Sequence, residues 1–262
     1  MQIYTHTLPG GAQLIGYLRD RTVEMPAFNT RPAILILPGG GYAWCSRREA
    51  DPVAMQFLQA GYNVFTLYYT CRSDETVPAL RWQPLIDAAG AILHIRRNAE
   101  QFGTDPAKIA ICGFSAGGHL ALSGAVLDIP GETAQQRPNA VILGYPVITA
   151  GQYAHRGSFV QLAGEDPAAQ QAFSLEDKIT SRTPPVFVWH TMEDKTVPVE
   201  NTLLLLAALR RAGVPCEAHL FEKGAHGTSI STAEVDAADP HRAHWVALCL
   251  EWLGETFGFK LS

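Results

Sequence analysis

Gly113-Phe114-Ser115-Ala116-Gly117 sets a serine between a short apolar run, Lys108-Ile109-Ala110-Ile111-Cys112, and a stretch of small apolar residues from Ala116 to Leu127 that suits a helix. A serine on a strand-to-helix turn, bracketed by glycines, is the nucleophile-elbow pattern. The glycines answer to the strain of that turn, where a β-carbon would collide with neighbouring chain. A serine hydroxyl is a poor nucleophile until a base takes its proton during attack. G-x-S-x-G arises often by chance, so the chain must also supply a base, an acid and donors for an oxyanion.

Candidates for all three follow. Val186-Phe187-Val188-Trp189-His190 predicts a buried strand, with Asp194 just past its end in Thr191-Met192-Glu193-Asp194-Lys195-Thr196-Val197-Pro198. Glu217-Ala218-His219-Leu220-Phe221 predicts a further strand, followed by His226 in Lys223-Gly224-Ala225-His226-Gly227. Strand ends on one edge of a parallel sheet converge, so Ser115, Asp194 and His226 could meet there. Histidine suits the base because its ordinary pKa lies near neutrality. A carboxylate fixes the imidazole tautomer and stabilises the imidazolium.

Rivals exist at each position. Ser115 could serve only as a helix cap. Glu193 and Asp177 compete with Asp194 as solvated loop charges; its place after the strand, four residues before Pro198, favours Asp194. His190, His219, His241 and His244 compete with His226. His219 lies within a strand, and His190, at a strand end, suits a buried hydrogen-bonding role. His226 is the last strand-end histidine after the acid. For the oxyanion, Leu37-Pro38-Gly39-Gly40-Gly41-Tyr42 follows the strand Ala33–Ile36, and glycine N–H groups there could approach a substrate oxygen closely, with the N–H of Ala116 as a further donor. Tyr42 and Trp44 either line an acyl or alcohol pocket or pack this loop onto the sheet. Cys45, close by, reads as a small buried hydrophobe.

The elements needed to position these residues are legible in outline. Gln2 to Leu8 and Gln13 to Arg19 predict an antiparallel hairpin through Pro9-Gly10-Gly11. Beyond Arg31, apolar strands alternate with helical patterns, as a parallel sheet with right-handed crossovers requires. Arg47 to Ala60 predicts a helix stopped by Gly61, and Asn63 to Tyr69 a strand. Trp82, Ile86, Ala89 and Leu93 keep helical spacing towards Gly103. Residues 147–182, polar and irregular, predict a small cap over the site. Pro198 to Arg211 and His241 to Phe257 predict late helices.

With 262 residues the chain can form one α/β domain with a substantial core. A net charge of −5 without a basic run argues against nucleic acid as a partner. No secretion signal and no membrane-length apolar run is visible, and five cysteines at irregular spacing fit reduced thiols in a cytoplasmic protein. His241 and His244 lack any H-E-x-x-H context for a metal, and no Gly-Lys-Ser/Thr follows Gly39–Gly41 for a nucleotide.

The chain resembles an α/β-hydrolase of the esterase/lipase type, close to the acetylxylan-esterase-like carbohydrate esterases. The resemblance spans nearly the whole chain. It is carried by Pro38–Tyr42, Asp105–Ile109, Gly113-Phe114-Ser115-Ala116-Gly117-Gly118-His119-Leu120-Ala121, His190 through Pro198, Leu162–Pro167 and Thr183-Pro184-Pro185. The order Ser, Asp, His is the one this fold uses. Pro38 stands where a histidine usually opens the H-G-G-G motif; a proline nitrogen cannot donate, which moves the donors to Gly40 and Gly41 with Ala116. The resemblance implies a mostly parallel sheet with helices on both faces, a single domain over 1–262 with a short cap insert at about 147–182, and acyl-enzyme chemistry without metal or organic cofactor. It implies a small-molecule or oligosaccharide substrate carrying short-chain esters, such as acetylated xylo-oligosaccharides, and no membrane partner. Peptide, formamide and lactone bonds are cleaved on the same fold, because the leaving group is chosen by the pocket. A prolyl peptidase would add a large domain for which this chain has no room. A non-catalytic binding protein on this fold would be expected to lack a triad member.

Overall fold

Arg31–Leu37 (β3) is buried along its whole length, which only a sheet covered on both faces can provide. The computed structural model describes residues 1–261 apart from 75 and 132. Before β3, β1 (Gln2–Thr7) and β2 (Gln13–Leu18) form an antiparallel hairpin with Thr7 opposite Gln13. After it, β4 (Asn63–Tyr68), β5 (Thr104–Phe114), β6 (Ala140–Gly144), β7 (Val186–Thr191) and β8 (Cys216–Phe221) run parallel to β3. The order across the eight-stranded sheet is β1-β2-β4-β3-β5-β6-β7-β8, with β2 antiparallel to β4. This is the α/β-hydrolase architecture expected from the sequence.

The two-residue period of the strands divides the core in two. Ala33, Leu35 and Leu37 face one side with Ile109, Ile111, Val141, Leu143 and Val188. Ile34 and Ile36 face the other with Ala110, Cys112, Ile142, Phe187 and Trp189. Helix α1 (Asp51–Gln59) covers the second face through Val53, Ala54 and Phe57. Helix α2 (Gln83–Arg97) covers the first through Leu85, Ile92 and Ile95, and a short α3 (Ala99–Phe102) ends on Gly103 in left-handed conformation. Helix α4 (Ala116–Val126) packs beside α2, buried along nearly its whole length. Helices α5 (Arg156–Ala163) and α6 (Pro167–Gln171) lie between β6 and β7, and α7 (Glu200–Ala212) between β7 and β8. The chain ends with α8 (Pro240–Ala243) and α9 (Trp245–Phe257), whose Trp245, Cys249, Trp252 and Leu253 complete the second core.

Two sequence expectations change. The helix predicted over 47–60 is broken: Arg47–Glu49 is a 3-10 turn, Ala50 adopts φ −103 and ψ −101, and only Asp51–Gln59 is α-helical. Pro52 has no N–H to bond to the carbonyl of Arg48, so a single helix cannot run from Arg47 through it, and the break turns Glu49 inward, where it is 3 % exposed. The segment 147–182, read as polar and irregular, carries the helices α5 (Arg156–Ala163) and α6 (Pro167–Gln171) and an apolar inner side. Val147, Ile148, Phe159, Leu162, Phe173 and Leu175 join the first core, because widely spaced apolar residues can share one face without any sequence period.

Candidate active site

Every residue singled out for chemistry lies beyond the carboxyl end of a parallel strand. Ser115 follows β5 directly, at φ 53 and ψ −120, a conformation a non-glycine residue adopts only under strain. A Cβ at Gly117 would fall on the carbonyl oxygen of Leu37, and one at Gly113 on that of Gly117. The turn can close only with glycine at both places. It is held by the end of β6: Ser115 N–H donates to Gly144 O at 3.0 Å, and Val147 N–H donates to Ser115 O at 3.1 Å.

The structure brings Ser115, His226 and Asp194 into one chain of hydrogen bonds. Ser115 Oγ is 2.8 Å from His226 Nε2, and His226 Nδ1 is 2.6 Å from Asp194 Oδ2. Asp194 Oδ1 accepts from the N–H groups of Thr196 and Val197, both at 2.9 Å. His190, as expected, is fully buried: it meets Asp194 Oδ2 at 3.2 Å through Nε2 and Thr202 Oγ1 at 2.8 Å through Nδ1. Burial alone would raise the pKa of Asp194, but the hydrogen bonds from His190 and His226 outweigh it and hold the carboxyl well below its usual range. An imidazole between a hydroxyl and such a carboxylate can accept the hydroxyl proton while the carboxylate stabilises the resulting charge. Other rivals make their bonds elsewhere. Glu193 accepts from Gly224 N–H, and His219 pairs with Glu217 Oε1 at 2.8 Å.

A cavity of about 300 Å³ opens on this chain. Its lining includes Ser115, His226, Gly40, Gly41 and Trp44. Gly40 and Gly41 turn at φ 128 and φ 65. Among the described residues their N–H groups donate to no other protein group, whereas Gly39 N–H is taken by Glu49 Oε2 at 2.7 Å. Ala116 N–H, in the first turn of α4, is likewise without an intrahelical partner. The two aromatic candidates separate. Trp44 is 63 % exposed at the cavity, while Tyr42 is buried, with its hydroxyl 2.7 Å from His119 Nδ1. Tyr42 therefore packs the loop onto the core instead of lining the pocket, because its ring fits between Tyr69 and His119. Cys45 is half-buried beside Cys71, sulfur to sulfur 3.7 Å.

Several site residues carried no sequence signal. His155, at the start of α5, lines the cavity; its Nδ1 accepts from Ser158 N–H and lies 2.8 Å from Ser158 Oγ. Burial lowers its pKa. Glu49 Oε1 accepts from the hydroxyl of Tyr145 at 2.6 Å, and the Tyr145 ring meets His226 edge-on at 4.9 Å between centroids. Burial raises the Glu49 pKa, against opposing pulls from Tyr145 and Gly39.

Residues 91–259 match the profile of the prolyl oligopeptidase family, and residues 23–141 match that named BD-FAE. An endo-1,4-beta-xylanase B of Butyrivibrio fibrisolvens is 40% identical over 84% of this chain and 35% of its own length. An acetylxylan esterase of Xylanibacter ruminicola is 30% identical over 85% of this chain and 45% of its own. The chain thus spans less than half the length of these two relatives. Among solved structures, an acetyl ester-xyloside bifunctional hydrolase from Caldicellulosiruptor lactoaceticus superposes with a TM-score of 0.81 at 35% identity, over 97% of this chain and 90% of that one.

Proposed function

The chain belongs to the prolyl oligopeptidase family of α/β-hydrolases, beside esterases of the same fold, and we propose that it is a serine esterase removing short acyl groups, acetyl above all, from sugar esters. The observation that carries the reading is the continuous Ser115–His226–Asp194 chain at the floor of a cavity rimmed by glycine N–H groups.

In this reading Ser115 Oγ attacks the ester carbonyl as its proton passes to His226 Nε2, while Asp194 holds the proton on Nδ1 and balances the imidazolium. The tetrahedral oxyanion is received by the N–H groups of Gly40, Gly41 and Ala116. His226 then protonates the departing sugar alcohol, leaving an acyl-serine. A water molecule, deprotonated by the same histidine, releases the carboxylic acid and restores Ser115.

The acyl and alcohol preferences rest on the pocket and the relatives. Trp44 offers an exposed aromatic face in a cavity that Gln161 and Thr196 also line, chemistry suited to a sugar ring. The names of the relatives point to acetylated xylan fragments as the substrate class. Glycoside cleavage normally needs two carboxylates flanking the bond. Among the described residues the cavity lining holds one, Glu49, already accepting two hydrogen bonds, so the esterase reading is the one the site favours.

The test is hydrolysis of 4-nitrophenyl esters from acetate to octanoate, beside Ser115→Ala, followed by acetate release from acetylated xylo-oligosaccharides. Acetate is expected to be cleaved best, and Ser115→Ala to lower kcat by roughly four to six orders of magnitude. The match to the prolyl oligopeptidase family supports a second reading, amide cleavage. A wild type that turns over 4-nitroanilides of proline peptides but no ester would establish that reading instead, and activity surviving in Ser115→Ala would remove Ser115 as the nucleophile.

A further inference from the structure

Glu49 is a fully buried carboxylate that the proposed acyl transfer does not use. Burying a carboxylate is expensive unless its oxygens are satisfied, and an apolar side chain would fill the same space at less cost. Both of its partners belong to the site. Oε2 accepts from the N–H of Gly39, the residue leading from β3 into the glycine loop, and Oε1 accepts from the hydroxyl of Tyr145, just beyond β6. We infer that Glu49 is a positioning residue, whose single carboxylate registers the glycine loop and the loop carrying His226 against one another; the inference rests on the ester-hydrolysing reading of the site.

The glycine-loop half of the argument is stereochemical. The turn that carries Glu49 holds both polar groups of Gly39: Glu49 accepts its N–H, and Ser46 N–H donates to its carbonyl at 2.8 Å. In a trans peptide the carbonyl of one residue and the N–H of the next point in opposite directions. Fixing the Gly39 carbonyl on Ser46 therefore aims the Gly40 N–H the other way, and Glu49 N–H closes the same turn on Ser46 O at 3.2 Å. The approach is as close as glycine allows: a Cβ on Gly39 would stand 2.8 Å from Glu49 Oε2 and 2.9 Å from Ser115 Cβ.

The histidine half runs through Tyr145. Its hydroxyl donates to Glu49 and accepts from Ser229 N–H at 2.9 Å, three residues beyond His226. Ser229 Oγ returns to the Glu49 turn by donating to Arg48 O at 2.5 Å. With the Tyr145 ring against the imidazole, a shift of Glu49 is passed to both the oxyanion donors and the base.

Hydrogen-bond geometry and charge predict different orders among Glu49 variants, so the order is the test. Glu49→Gln keeps the length, accepts from Gly39 and can donate to the Tyr145 oxygen, but carries no charge. Glu49→Asp keeps the charge and reaches only one partner. On 4-nitrophenyl acetate we expect Glu49→Gln to retain kcat within about tenfold, and Glu49→Asp and Glu49→Ala to lose about a hundredfold, of the size seen when an oxyanion donor is removed, with KM within about threefold. Tyr145→Phe, which keeps the ring but removes the bonds to Glu49 and to Ser229 N–H, should lose about tenfold in kcat and remain folded. Circular dichroism and Tm accompany each variant. An Asp variant faster than Gln, or folded Ala and Phe variants with wild-type kcat, would overturn the inference. Should the Glu49 variants fail to fold, an unchanged kcat in Tyr145→Phe would overturn it alone. The rate at which a fluorophosphonate labels Ser115 should follow the same order. That readout tests Glu49 even if the wild type cleaves no ester, which is the separate failure of the ester reading.

Discussion

Asp194 is held by more donors than are needed to orient one imidazole. Two backbone N–H groups and His190 join His226 on its two oxygens, an arrangement that keeps it ionised and immobile. Replacing it with asparagine would place an amide N–H against His226 Nδ1 and favour the tautomer that cannot accept the Ser115 proton. Asp194→Asn should therefore lower kcat by about 10⁴ with KM little changed, measured on 4-nitrophenyl acetate. Trp44 gives the opposite signature. Because it is exposed, Trp44→Ala should leave stability within about 0.5 kcal/mol by urea titration. Its effect should fall on KM for acetylated xylo-oligosaccharides, and a KM rise for 4-nitrophenyl acetate alone would deny the sugar contact.

At the scale of elements, the segment between β6 and β7 is tied to the core by side chains, with little regular structure of its own. Asn201, in the first turn of α7, accepts from the N–H groups of Ile148 and Thr149 and donates to the carbonyls of Tyr153 and Pro198. Asn201→Ala leaves two buried N–H groups without a partner, which should cost about 1–3 kcal/mol in urea unfolding. It should also loosen the chain leading to His155, seen as a higher KM for the longer esters. His119 makes a second tie. Its Nε2–H donates to Phe173 O at 2.8 Å, which leaves Nδ1 to accept from the Tyr42 hydroxyl. One buried imidazole thus joins the glycine loop, α4 and the insert. The resemblance motif contains His119 but does not reveal this bond, because Phe173 is 54 residues away in sequence.

For the whole molecule, His119 makes stability depend on pH. Burial lowers its pKa from 6.5 to about 4. In this case the folded pKa is depressed below the unfolded one, so unfolded chain takes up the proton first as pH falls. The contribution is complete above pH 6.5 and is lost between there and about pH 4, where it amounts to about 3 kcal/mol. Urea midpoints should fall steeply across that interval for the wild type and more gently for His119→Gln; parallel profiles would deny the linkage. Asp194, whose folded pKa is lowered, adds a loss only at pH values below the ordinary carboxylate range. No described helix is long and apolar enough to cross a membrane.

What the sequence determined by itself is what local pattern encodes. Unbroken apolar runs such as Ala33–Ile36 and Val186–Trp189, short and bounded by turn residues, read as strands buried on both faces, and their alternation with helical patterns implies a parallel sheet. Glycines around Ser115 mark a turn that no other residue could close, and Asp194 and His226 stand out because each follows a predicted strand. Tertiary structure alone decided the rest. Glu49 fell inside the helix predicted over 47–60, until the break at Ala50 turned it under Gly39. Tyr42 and Trp44 are two residues apart with the same sequence credentials, yet one is buried on His119 and the other opens on the cavity. Tyr145, His155 and Ser229 belong to no motif. Their partners lie far away along the chain, and a hydrogen bond across a fold leaves no periodicity for a sequence to display.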